Sequence, residues 1–147
     1  GGEEKTSSVT RAGYLNELKQ LTKQLNLEKK VTFVGKKTQP ELKTLYQLAD
    51  IFVYPSLYEN FGQPLLEAAA HGLPLISTSV GIARDIIIEG ETGYQISGKP
   101  EEIKERIESL RDSNLRLQMG KRIQNEVKNR FDWGNIMDQY MNLYRSL

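Results

Sequence analysis

A chain of 147 residues with a formal net charge of +1 can bury the core of one domain, and it has too little positive excess for a partner held by neutralised nucleic-acid phosphates. With no cysteine and a single histidine, it offers neither a disulfide framework nor a thiolate or histidine-rich metal site. No run is apolar and long enough to span a bilayer and no signal-peptide pattern opens the sequence, so the chain reads as cytoplasmic.

In chain order, residues 1–8 have linker composition. Leu15, Leu18, Leu21 and Leu25 then form a helical stripe within residues 9–26, and Val31 to Val34 reads as a strand. Lys36 and Lys37 follow Gly35 at that strand's carboxyl end, where they can meet a base or a phosphate or simply be surface lysines. Leu42, Leu45, Tyr46 and Ala49 mark a second helix entered by Pro40. Ile51 to Tyr54 is a buried-type strand closed by Pro55 and Ser56, and a helix begins near Gly62 or Gln63. Leu75 to Ser77 is the next strand, Ile82 to Ile88 a short helix or turn, and Tyr94 to Ile96 a last strand after a turn bracketed by Gly90 and Gly93. From Pro100 onward the pattern is helical. Alternation of this kind predicts an α/β fold, a parallel sheet covered on both faces.

The most informative stretch is Glu59-Asn60-Phe61-Gly62-Gln63-Pro64-Leu65-Leu66-Glu67, at the carboxyl end of a strand, the edge where open α/β sheets bind ligands. A helix starting there aims free N–H groups and its positive dipole end at an anion, and Gly62 has no Cβ to block the approach. Glu59 lies before the helix and Glu67 about one turn into it, so the two acids can have different partners. Glu67 is placed to accept hydrogen bonds from a diol such as a ribose, Glu59 to address a sugar, and the amides between them to meet phosphates. Phe61, Leu65, Leu66 and Ala69 serve equally well as the core face of an ordinary amphipathic helix.

The stretch resembles the donor-binding half of retaining glycosyltransferases of the GT-B architecture, the group 1 family that includes glycogen synthases, sucrose and sucrose-phosphate synthases and many mannosyl- and glucosyltransferases. Their signature of two glutamates separated by seven residues, with Phe-Gly inside, reads here from Glu59 to Glu67. Val31-Thr32-Phe33-Val34-Gly35, Leu45-Tyr46-Gln47-Leu48-Ala49-Asp50, His71-Gly72-Leu73-Pro74-Leu75-Ile76, Gly90-Glu91-Thr92-Gly93-Tyr94 and Arg130-Phe131-Asp132-Trp133 with Tyr140 and Tyr144 match further family elements in order. The likeness covers residues 30–147 well and the first thirty weakly.

The resemblance implies a Rossmann-like three-layer domain with a helical C-terminal tail, occupying residues 9–147 and incomplete at its start, with residues 1–8 a linker or the end of a truncated strand. It implies transfer of a hexose from a nucleoside-diphosphate sugar with retention, without a metal or other cofactor. Glu59 would be catalytic, contacting the donor sugar. Asn60, Phe61, Gly62, Gln63 and Leu65 would hold the donor through loop and amide groups, Glu67 through the ribose, and Gly35 and Lys36 near the base. The family's Gly-Gly pair followed by Ile-Pro-Glu is altered here: Val80-Gly81-Ile82-Ala83-Arg84-Asp85 keeps one glycine and has Arg84 for the proline. The family's diphosphate-neutralising Arg and Lys and its acceptor domain are also unmatched, so the chain alone is expected not to turn over and to need that domain or a partner chain. Rival readings are a non-catalytic subunit of a split enzyme that binds a nucleotide sugar or only a protein partner, and a glycoside hydrolase using Glu59 with Glu67.

Charges from Glu101 to Arg111 read as a solvated helix face. Lys121, Arg122, Lys128 and Arg130 read the same way, with an anionic membrane surface at the inner face of a membrane as the alternative. His71, before Gly72, is expected at a helix C-terminus rather than in catalysis. In the resembling family the last helix packs on the other domain, so Trp133, Tyr140 and Tyr144 are expected to leave an exposed apolar patch.

Overall fold

The computed structural model describes residues 13–146, which divide into two compact units at Thr44 and Leu45. In the first unit, α1 (Tyr14–Gln24) ends in a Schellman turn. Asn26 takes a left-handed φ of 55°, its N–H donates to the Lys23 carbonyl at 3.0 Å, and that of Leu27 donates to the Thr22 carbonyl at 2.9 Å. The predicted start of this helix at residues 9–12 and the linker at 1–8 lie outside the described residues.

Val31 to Val34, expected as a strand, forms no ladder with any described strand, and Val31, Phe33 and Val34 are exposed. Apolar β-branched residues favour a strand only where a neighbour pairs their backbone groups. At the start of α2 (Gln39–Leu48) the Glu41 side chain reaches back to Thr38, accepting from its N–H at 2.9 Å and its hydroxyl at 2.8 Å. Those two bonds, the backbone one first, and the Lys37 ammonium at 3.1 Å hold the Glu41 carboxyl down at about 2.

In the second unit β1 (Phe52–Tyr54), β2 (Leu75–Thr78) and β3 (Gly93–Ile96) pair in parallel in that order, with Phe52 opposite Leu75 and Leu75 opposite Gly93. The two-residue side-chain period divides the strands between two cores. Phe52, Tyr54 and Leu75 pack with Leu65, Ala68 and Ala69 of α3 (Gln63–Ala70), Ala83 and Ile86 of α4 (Ala83–Ile86), and Ile123 and Val127 of α6 (Ser113–Phe131). Val53, Ile76, Tyr94 and Ile96 pack on the other face with Ile103 of α5 (Pro100–Ser109), Leu110, and Leu115 and Met119 of α6. The expected three-layer arrangement is present. Each fully buried Leu or Ile in it contributes roughly 1.5–3 kcal/mol.

Leu115, Met119, Ile123 and Val127 form one stripe at four-residue spacing, and its first half serves one core while its second half serves the other. Gly120 lies within this run. A Cβ there would sit 2.1 Å from the Gly72 carbonyl oxygen, so the turn after α3 and the middle of α6 meet backbone to backbone. That turn is a second Schellman motif, with the Gly72 N–H on the Ala69 carbonyl at 2.9 Å and the Leu73 N–H on the Ala68 carbonyl at 3.1 Å. His71 caps α3 as expected, its Nδ1 2.8 Å from the Glu67 carbonyl.

The Gly90–Gly93 turn is pinned by Thr92, whose buried hydroxyl accepts from the Ile88 N–H at 2.7 Å and donates to the Ile86 carbonyl at 2.8 Å. α7 (Trp133–Ser146) completes the helical tail and buries none of its residues. Trp133, Tyr140 and Tyr144 are 76%, 55% and 68% exposed, matching the apolar patch expected there. Among the described residues no helix is long and apolar enough to cross a membrane. Of the four basic residues considered for a membrane surface, Arg130 is engaged within the fold, donating to the Asp85 carbonyl at 2.7 Å and pairing with Glu126 at 2.9 Å.

Candidate functional site

The carboxyl ends of β1 and β2 are knotted together by hydroxyls. Ser77 Oγ donates to the Tyr54 carbonyl at 3.1 Å, and Thr78 Oγ1 donates to the Ser56 carbonyl. From these ends rise two loops, residues 57–62 leading into α3 and residues 79–82 leading into α4. They are held face to face. The Ile82 N–H donates to the Phe61 carbonyl at 2.7 Å, and Gly81, at φ 48°, comes so close that a Cβ would lie 2.4 Å from that same oxygen.

Between the loops opens a cleft of about 430 Å³ lined by Leu57, Tyr58, Glu59, Asn60 and Phe61 on one side and residues 80–82, Arg84 and Asp85 on the other. Glu59, Asn60 and Phe61 are thus brought together as the sequence suggested. A larger hollow of about 530 Å³ lies over α3 and α6, between Leu66, Ala70, Val127 and Phe131. It contains none of the predicted residues. The strand-end cleft is the better candidate, because it holds an oriented carboxylate between two loops at the edge where α/β sheets bind ligands.

Glu59 is half-buried. Its Oε2 accepts from the Tyr54 hydroxyl at 2.6 Å and its Oε1 from the Asn60 N–H at 3.0 Å. The Tyr54 hydroxyl is the main reason its carboxyl is held below the ordinary range; partial burial opposes, and the backbone N–H groups of Asn60, Phe61 and Gly62 reinforce the lowering. Burial first and the Glu59 carboxylate second push the Tyr54 hydroxyl up to about 12. Glu59 is therefore an ionised acceptor at neutral pH.

Glu67 has its own partners, the Tyr46 hydroxyl at 3.1 Å and Gln63 Nε2 at 3.0 Å. Burial and this carboxylate push Tyr46 up to about 12. Tyr46 also stacks on His71, with ring centres 5.2 Å apart, and contacts Phe52 at 5.9 Å; Phe52 in turn stacks on Tyr54 at 6.0 Å. An aromatic row Tyr46–Phe52–Tyr54 therefore underlies both carboxylates. Neither tyrosine was singled out from the sequence for the site. Tyr46 sits in an apolar helical stripe and Tyr54 in a strand, and only the tertiary fold shows where their hydroxyls go.

Gly62 caps the start of α3 at φ 85°. Among the described residues the Gln63 N–H has no hydrogen-bond partner. Leu65 differs from its expected presentation: its N–H already donates to the Gly62 carbonyl at 2.9 Å, and its side chain is fully buried. The first turn of α3 is tight enough to satisfy that amide internally. Gly35, at φ 64°, and the exposed Lys36 belong to the first unit. Among the described residues no group of three or more His, Cys, Asp or Glu is arranged to hold a metal ion.

A parallel three-layer α/β fold with this strand-end cleft defines a ligand-binding Rossmann-like domain. The family model for glycosyl transferases group 1 matches residues 10–126, and the chain belongs to that family. It is 35% identical over 127 residues to N-acetyl-alpha-D-glucosaminyl L-malate synthase of Bacillus anthracis, covering 85% of this chain and 33% of that protein. Among solved structures it is similar to sucrose-phosphate synthase from Thermosynechococcus elongatus, with a TM-score of 0.83, 31% identity, and coverage of 99% of this chain and 37% of that one. HepE of Anabaena, in complex with UDP, gives a TM-score of 0.84 at 26% identity, covering 92% and 38%. The chain thus spans about a third of the length of these relatives.

Proposed function

We propose that this chain is the donor-binding portion of a retaining glycosyltransferase that takes a hexose from a nucleoside-diphosphate sugar. The observation that carries the reading is the cleft at the ends of β1 and β2, where an ionised, oriented Glu59 stands on the loop that leads into α3. HepE, whose fold this chain shares, is described in complex with UDP and with UDP-glucose, which supports a nucleotide-sugar ligand.

In this proposal Glu59 accepts hydrogen bonds from donor-sugar hydroxyls and stabilises the positive charge that develops as the diphosphate departs. Asn60, Phe61 and Gly62 shape the loop, and the Gln63 amide faces the phosphates. Glu67, held by Tyr46 and Gln63, binds the ribose diol. The Leu65 amide contributes only by sharing the bond it already makes to Gly62. A donor-binding role for Gly35 and Lys36, which lie in the first unit, rests on the sequence alone. No metal is required on this reading: the N-terminus of α3 meets the leaving diphosphate, and the neutralising basic groups, unmatched in this chain, belong to the longer assembly. Transfer itself belongs to a longer assembly that supplies an acceptor site, and a cytoplasmic setting is proposed with it.

Glu59 and Glu67 are fixed by different tyrosines, and Glu67 does not line the cleft, which disfavours a hydrolase pair. The test is a thermal-shift and titration panel with UDP, GDP and ADP, with and without an attached hexose and with EDTA present, repeated for Glu67→Ala. Saturable stabilisation by one nucleotide, lost in Glu67→Ala, supports the donor site. A folded chain that ignores every nucleotide refutes it.

A further inference from the structure

We propose that Tyr54 is a positioning residue for sugar recognition, its hydroxyl fixing the orientation in which Glu59 meets the hydroxyls of a donor hexose. The proposal rests on the donor-site reading and deepens it, assigning the sugar-facing geometry to a residue on the sheet itself. Tyr54 ends β1 and its ring is stacked on Phe52 with planes 16° apart, so the hydroxyl is carried by a rigid element.

A glutamate on a loop samples several rotamers, yet here both carboxylate oxygens are taken, Oε2 by Tyr54 at 2.6 Å and Oε1 by the Asn60 N–H at 3.0 Å. A carboxylate has about four lone-pair sites. The Tyr54 hydroxyl and the Asn60 N–H make the two close bonds of this clamp, and the Phe61 and Gly62 N–H groups reinforce it from the loop side, so the carboxylate is held as an oriented acceptor for hydroxyls of a sugar ring. Both clamping groups are donors, so they also favour the ionised, acceptor-only form that such hydroxyls need; the lowered Glu59 carboxyl is consistent with this. The other charged groups lining the cleft are Arg84, whose Nε is tied to the Ser79 carbonyl at 2.8 Å, and Asp85. Neither is bonded to Glu59, which leaves Tyr54 as the side chain that sets its geometry.

Tyr54→Phe keeps the ring and removes the bond. The chain is titrated calorimetrically with UDP and UDP-glucose, and with GDP and GDP-mannose, while the Glu59 carboxyl carbon is followed by NMR against pH. For the nucleotide that binds, the variant is expected to lose about tenfold in affinity for the nucleotide sugar and less than about twofold for the bare nucleotide, the scale of one charge-assisted hydrogen bond. Glu59 is expected to titrate at higher pH than in the wild type. A merely structural tyrosine would weaken both ligands alike, and that outcome overturns the proposal, as does unchanged nucleotide-sugar affinity. Binding of no nucleotide by the wild type overturns the donor site and the proposal together; a wild type that binds beside an indistinguishable variant overturns only the positioning role.

Discussion

Substituting Gly81 by Ala tests whether the two loops of the cleft are held by direct backbone contact. Two costs arise at this position. The left-handed φ of 48° disfavours a Cβ by roughly 1 kcal/mol, and the added atom would stand 2.4 Å from the Phe61 carbonyl oxygen and 2.7 Å from its carbon. Those neighbours are backbone, so relief requires one loop to move by close to an ångström and weakens the 2.7 Å bond from the Ile82 N–H to Phe61. Overpacking of this kind costs about 1–3 kcal/mol. Gly90→Ala supplies the control, since Gly90 has φ 76° with nothing within 4 Å of a Cβ and bears only the conformational cost. The difference between the two variants is therefore about 2 kcal/mol, about thirtyfold in the unfolding equilibrium. At a urea slope of about 1.5 kcal/mol/M it appears as a midpoint about 1.3 M lower for Gly81→Ala, read by far-ultraviolet circular dichroism. Equal midpoints for the two variants would refute the close approach of the loops.

Thr92→Val should cost about 2 kcal/mol in the same denaturation assay, because the Ile88 N–H and the Ile86 carbonyl both lose a buried partner, whereas Thr92→Ser should retain most of the stability. Tyr46→Phe should weaken the bare nucleotide and its sugar by the same factor, about three- to tenfold by calorimetry, since the Glu67 it supports addresses the part common to both. The Glu41 cap at the start of α2 should loosen in acid. Glu41 is lowered from 4.5 to about 2 in the folded chain, so its contribution is complete above 4.5 and is lost as pH falls through about 2. The protection of the Thr38 amide, its exchange rate taken relative to the intrinsic rate at each pH, should fall across that window; constant protection down to pH 2 would contradict the cap.

The parts of the fold legible in sequence were those governed by local pattern. Leu75-Ile76 is apolar at consecutive positions because β2 is covered on both sides, and Gly72 follows His71 because the closing turn of α3 needs a left-handed residue. The Glu59–Gly62 turn was legible for the same reason, a glycine and a proline framing a helix start after a strand. Features that depend on distant partners were not. Val31 to Val34 has the composition of a strand, and composition cannot provide a pairing neighbour. The hydroxyls of Tyr46 and Tyr54 reach carboxylates 21 and 5 residues away only once β1, α2 and α3 have assembled. Gly81 was noted as the one glycine kept from a family pair, yet its contact with Phe61, which joins two loops across the sheet edge, was not visible there. The Leu65 amide was expected to face outward, and the tight first turn of α3 takes it up instead.

The single apolar stripe of α6 has a consequence for how the second unit comes apart. Met119 is seated under one face of the sheet and Ile123, one helical turn later, under the other. Peeling α6 away exposes both faces at once, and losing the packing on either face frees the helix that seals its counterpart. The two hydrophobic layers are thereby fused into one cooperative unit, so slow amide exchange in β1, β2 and the centre of α6 should share a single opening free energy. The strand ends that shape the cleft inherit that stability.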